Sequence, residues 1–187
     1  MTKLVAGLGT TSLAAYFLTN TAEAISYLPG FGFSIAATTL TAQALGAGEK
    51  ELAHKFSKLC IRYGILLMGL AGLLMFVFSR PLVGFFTPDQ EVLALGSKGL
   101  KIMAVSEPFF AMSVVVAGVL RGAGDSKWPF YITAMGMWGV RLLSLYLLCY
   151  TLGLGVYGAW IAMVLDIGTR GIISWWRYKQ GNWLKSW

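Results

Sequence analysis

Apolar residues fall in five long runs, near residues 12–45, 59–78, 102–120, 128–152 and 156–176, with short polar stretches between them. Runs of that length, without strict alternation, predict membrane-spanning helices rather than strands. Residues 1–11 read as a lead-in or the remnant of a preceding helix, and 177–187 as a basic tail in which Trp183 and Trp187 are interfacial anchors. The expected fold is all-α, a polytopic transmembrane helical bundle of about five spans.

The first run is the longest and the most polar. At 1.5 Å per residue it reaches roughly 50 Å, more than the ~30 Å hydrocarbon core, so it must tilt, bend or protrude. Pro29 cannot donate to the Ile25 carbonyl, and Gly30 loosens the same turn, so these two are expected to form a structural hinge. Before them, Tyr16, Asn20, Glu23 and Tyr27 recur at i, i+4, i+7 and i+11 and make one polar stripe. Lipid would penalise that stripe, so it should face a protein interface or a water-filled cavity. Glu23 is then either a carboxyl held between helices or a cavity-facing site.

A basic loop is expected from Gly46 to about Lys58, with Arg62 snorkelling from the start of the second span. Gly64, Gly69 and Gly72 would let another helix come close. Pro88 with the acids that follow it suits a helix start, leading without a break into a third span that contains Glu107 and Pro108.

Composition supports the membrane reading: 57% of residues are hydrophobic and 12% charged, too little polar surface for a soluble domain of this size. The net charge of +7 does not form a basic face with interleaved aromatics, so nucleic acid is not expected as a partner. Cys60 and Cys149 sit inside apolar runs as packing residues. The single histidine, His54, falls in the basic loop, with no nucleophile or metal-ligand spacing around it. Neither an enzyme nor a metal or other cofactor is expected.

Charged residues inside the runs carry the candidate chemistry. Asp166 and Arg170 stand i, i+4 with the acid N-terminal, the favourable order for an ion pair, serving either as structural glue or in transport. Glu107 lies 14 residues before Arg121 and Arg141 lies 13 residues after Trp128, which places both about 20 Å from the intervening turn and makes them expected partners. Glu23 is then left over. An unpaired carboxyl in a low-dielectric cavity can exchange a proton, bind Na⁺ or attract an organic cation. Tyr16, Tyr27, Phe31, Phe33, Phe109, Phe110 and Trp138 could line a pocket for flat cations, or simply pack.

Two runs end in related turns, Gln43-Ala44-Leu45-Gly46-Ala47-Gly48-Glu49-Lys50 and Leu120-Arg121-Gly122-Ala123-Gly124-Asp125-Ser126-Lys127, the second followed by Trp128-Pro129. The pair resembles the multidrug and toxic compound extrusion (MATE) family, in which such sequences join the second helix to the third and the fourth to the fifth of each six-helix half. The resemblance implies most of a C-terminal lobe that lacks most of the first helix of that half. It implies an antiporter that exports organic cations or drugs in exchange for H⁺ or Na⁺, working with an N-terminal half or a second copy in the cytoplasmic membrane of a bacterium. Acids in the membrane commonly couple the cation in that family, some on the fourth helix of the half, where Glu107 falls. A lobe of a lipid-linked oligosaccharide flippase, or an inactive or scaffolding membrane fragment, are the alternatives. Ten Lys and Arg residues gather on the side of the two glycine turns, against four (Lys3, Arg80, Lys98 and Lys101) on the other, so the turns and the C-terminus are expected in the cytoplasm.

Overall fold

A computed structural model describes Gly7 and residues 9–184. The readings placed on Lys3, Lys185, Trp187 and most of the lead-in lie outside the described residues. Helix α1 spans Thr10–Gly46, α2 Lys50–Val77, α3 Ser79–Gly84, α4 Gln90–Ala104 and α5 Glu107–Gly122. Helix α6 runs over Lys127–Thr151, with wide π-type winding at Met135–Arg141 and Leu147–Thr151, and α7 covers Gly155–Lys179. There is no strand among the described residues.

Helices α2, α6 and α7 are each long and apolar enough to cross a membrane, and α4 with α5 is so only as a pair, bent by 49° at the break between them. At 37 residues α1 is the longest helix, but Thr, Ser, Asn20 and Glu23 make it too polar to pass the same test. It passes through Pro29 without interruption. Pro108 is where the helix breaks. Its ring excludes the Ala104 carbonyl, and the chain tightens so that the Val105 and Ser106 amides bond to the carbonyls three residues back. Glu107 therefore opens a new helix instead of lying inside a continuous third span.

The other departure is at α2. Only Ala47–Glu49 forms a loop, and the stretch expected to remain loop up to Lys58 is already helical, a run of good helix formers interrupted by no glycine or proline. His54 is thus an exposed helical residue, stacked 6.1 Å from the Tyr178 ring.

Both glycine turns close in the same way. Gly48 (φ 78°) and Gly124 (φ 82°) take the left-handed conformation, while the amides of Glu49 and Asp125 reach back to the carbonyls of Ala44 and Leu120. Only the second glycine of each motif serves the turn. Gly122 is a helical residue buried against the backbone of Thr38 on α1.

One part of the core joins α1, α4, α6 and α7 around Ala15, Tyr16, Met103, Trp160 and Met163. The other, towards the glycine turns, joins α1, α2 and α5 around Ala37, Ala53, Ile61, Val115 and Val119, and is closed by Tyr178 and Trp183. At the opposite end Asp89 caps α4, its Oδ1 accepting from the amides of Glu91 (2.8 Å) and Val92 (3.2 Å). Asp89→Ala is expected to cost about 1 kcal/mol of local stability. Faster hydrogen exchange at those two amides would show it, and unchanged exchange would refute the cap.

Candidate functional site

The polar stripe of α1 turns inward. Tyr16 and Glu23 are buried, Asn20 and Tyr27 half-buried, and the Tyr16 hydroxyl donates to Met163 Sδ at 3.5 Å. Glu23 is 1% exposed and Glu107 fully buried. The Tyr27 hydroxyl lies beside the Glu23 carboxyl, and the Tyr27 ring stacks on Phe110 at 4.2 Å, with Phe31 edge-on to Phe110 at 5.8 Å. Trp138 stands 76% exposed on α6, outside this stack.

Arg141 does not pair with Glu107. Its Nε lies 2.7 Å from Asp166 Oδ2, and the same carboxylate takes Arg170, with Nε 3.0 Å from Oδ1 and Nη2 donating to Oδ2 at 3.0 Å. Asp166 is fully buried between two arginines that are each 16% exposed. The reason lies in packing. Helix α6 lies along α7 and touches α5 little, so equal depth on consecutive helices does not bring Arg141 and Glu107 face to face. Gly136 makes the triad possible, since a Cβ there would overlap Asp166 and Arg170. Sequence reasoning missed Gly136, whose only signal is a glycine five residues before Arg141 on α6.

Among the described residues neither glutamate is ion-paired. Glu107 has Oε1 bonded and Oε2 without a partner, and Glu23 Oε1 has none either, among the described residues. Ser26, also missed, ties them together: its Oγ is 2.7 Å from the Glu23 backbone carbonyl and 2.6 Å from Glu107 Oε1. One hydroxyl proton cannot serve two acceptors. When Glu107 is ionised the serine donates to it; when Glu107 is protonated the carboxyl donates to Ser26, which then donates to the carbonyl. The site thus keeps a full set of bonds at Oε1 in both protonation states.

The turn motifs hold the bundle rather than the acids. Arg121 donates to Ser34 Oγ on α1 at 3.0 Å, and Asp125 Oδ2 pairs with Arg177 Nη2 at 2.9 Å, which fastens the second turn to the end of α7. Gln43 and Gly46 are exposed. Gly30 is buried, and a Cβ there would meet Phe110 at 3.3 Å and Met68 Sδ at 3.4 Å, so it serves close packing of α1 on α5 and α2. A cavity of about 1010 Å³ lies near Trp128, Tyr131 and Arg177, at the turn end and away from the glutamates.

The profile of the MatE family matches residues 1–147. A probable multidrug resistance protein NorM of Thermotoga maritima is 34% identical over 167 residues, 87% of this chain and 35% of that protein. The multidrug and toxin extrusion protein 1 of Oryctolagus cuniculus is 30% identical over 180 residues, 96% of this chain and 32% of that one. The chain thus spans about a third of the length of these relatives. The MATE transporter VcmN of Vibrio cholerae in its bent form superposes with a TM-score of 0.88 at 23% identity, covering 99% of this chain and 41% of that one. An all-helical bundle with these turns, matched by the family profile over most of its length, belongs to the MatE family, which comprises transporters and not enzymes.

Proposed function

We propose that this chain forms one lobe of a secondary transporter that exports organic cations or drugs in exchange for H⁺ or Na⁺, with Glu23 and Glu107 as the groups on which coupling cation and substrate exchange. The observation that carries this is the pair of buried carboxyls, each with an unpartnered oxygen, beside a triad in which Asp166 already engages both arginines. Intramembrane acids without partners are expensive and mark cation pathways. Ser26 lets Glu107 gain and lose a proton without breaking its bond to α1. The Tyr27, Phe110 and Phe31 rings next to Glu23 offer faces to a flat cation.

Transporters of this architecture bind substrate between two repeats, so the lobe works with an N-terminal half or a second copy of the chain. The excess of Lys and Arg at the turn end supports a cytoplasmic position for both glycine turns and the C-terminus. A flippase-type lobe would need free arginines for a pyrophosphate, and Asp166 holds Arg141 and Arg170.

The test is efflux of a fluorescent cationic dye from cells expressing the chain alone and together with an N-terminal half, with Na⁺ and pH gradients imposed separately. Efflux should require the second half and collapse with one gradient. Glu23→Gln and Glu107→Gln should each bring it to background at unchanged expression. Full efflux in both variants would refute the site assignment, and none in any combination would leave a scaffolding fragment as the better reading.

A further inference from the structure

Away from the acids, two adjoining cavities lie between α2 and α7 near the turn end. One, of about 340 Å³, is lined by Lys58, Ile61, Arg62, Ile65, Leu66, Trp175 and Tyr178. The other, of about 280 Å³, shares Lys58, Trp175 and Tyr178 and adds His54, Lys179 and Trp183 among its walls. No acidic residue lines either one.

The wall they share is rigid. Trp175 stacks on Tyr178 at 5.6 Å and Tyr178 on Trp183 at 5.5 Å, while the Tyr178 hydroxyl is fixed to Ser57 Oγ at 2.8 Å. The chemistry changes along the cleft. Lys58, Arg62 and Lys179 are exposed at its rim, and Ile61, Ile65 and Leu66 continue it along α2. Residues 63–79 carry no charge, so Arg62 is the last cation before the apolar part of α2. The rim therefore lies at headgroup depth and the apolar part at acyl-chain depth.

We propose that this cleft binds an anionic phospholipid from the surrounding bilayer, its phosphate held by Lys58, Arg62 and Lys179 and its acyl chain laid against Ile61, Ile65, Leu66 and the Trp175 ring. The charge of the rim selects the occupant: three cations without a lining carboxylate favour an anionic headgroup over a zwitterionic one. A basic pocket between transmembrane helices with an apolar floor suits a lipid better than a soluble anion, because the floor stays wet unless a chain covers it. A lipid there would bridge α2 and α7 at the end where Arg177 already clips α7 to the second glycine turn. This inference needs only the membrane location of the chain and is independent of the transport reading.

The test is native mass spectrometry of the purified protein released from bilayers of phosphatidylcholine with one fifth phosphatidylglycerol. One phosphatidylglycerol should stay bound after the bulk lipid is stripped. Lys58→Gln, Arg62→Gln and Lys179→Gln combined should weaken its retention roughly tenfold or more, at about one tenfold step per 1.4 kcal/mol. Lys98→Gln with Lys101→Gln, at the other end of the bundle, should leave it unchanged, and an unaltered melting profile of each variant separates lost binding from lost fold. Retention of phosphatidylcholine to the same extent, or equal retention by the triple variant, overturns the proposal. Displacement of the lipid by millimolar inorganic phosphate would also overturn it, by showing a plain anion site.

Discussion

Asp166→Asn is expected to destabilise the bundle by about 3–5 kcal/mol, the cost of leaving buried charges uncompensated. The carboxylate is fully buried and is the shared partner of Arg141 and Arg170. Without it the two guanidiniums face each other between α6 and α7, in a setting where neither can reach bulk water easily. Removing Arg170 alone should do less, about 1.5–3 kcal/mol for one lost charged hydrogen bond, because Arg141 still neutralises Asp166. Replacing all three by Leu should recover most of the loss, since breaking a buried ion cluster costs more than replacing it with apolar packing. Denaturation of the detergent-solubilised protein followed by circular dichroism would rank the variants. An Asp166→Asn protein within about 1 kcal/mol of the parent would mean that the triad is solvated and structurally idle.

The i, i+4 spacing made the Asp166–Arg170 half of that triad legible in the sequence, because it depends on one helix only. The Arg141 half was not legible. Depth along a helix follows from counting residues, but which way Arg141 points follows from the rotation of α6 about its axis and from its packing on α7 instead of α5. The same limit explains the two glutamates: charge balance left Glu23 as the odd acid, whereas among the described residues neither Glu23 nor Glu107 is ion-paired. The inward stripe of Tyr16, Asn20, Glu23 and Tyr27 was readable because a single helical period carries it. The break before Glu107 carried a signal in Pro108 that could equally have been a proline inside a continuous helix, like Pro29 in α1, and the difference lies in tertiary contacts. At the break α2 presses on the freed carbonyl, for a Cβ at Gly72 would stand 2.6 Å from the Ala104 oxygen.

Glycines carry the second large effect. Gly122→Leu is expected to prevent assembly of α1 with α5, because any Cβ at Gly122 overlaps the backbone carbonyl of Thr38 and no rotamer change relieves a clash between two main chains. Gly118 meets Ser34 in the same way four residues earlier, so the two form one strip along which the helices touch. Two hydroxyls lie in that seam: Ser34 Oγ donates across it to the Val114 carbonyl at 2.7 Å, and Thr38 Oγ1 stands 3.0 Å from the Gly118 carbonyl and 2.8 Å from the Ser34 carbonyl of its own helix. Separating the helices would break the Ser34 bond to the Val114 carbonyl and the Arg121 bond to Ser34. The loss should exceed about 3 kcal/mol and appear as failure to recover monodisperse protein. Gly139 and Gly168 provide the contrast: nothing lies within 4 Å of a Cβ at either, so alanine there should be neutral or stabilise by up to about 1 kcal/mol through helix propensity. Gly69, which the sequence grouped with Gly64 and Gly72, belongs with these, its nearest neighbour being Pro108 at 3.9 Å. If Gly122→Leu and Gly168→Ala behaved alike, the α1–α5 contact would not be the close backbone packing described.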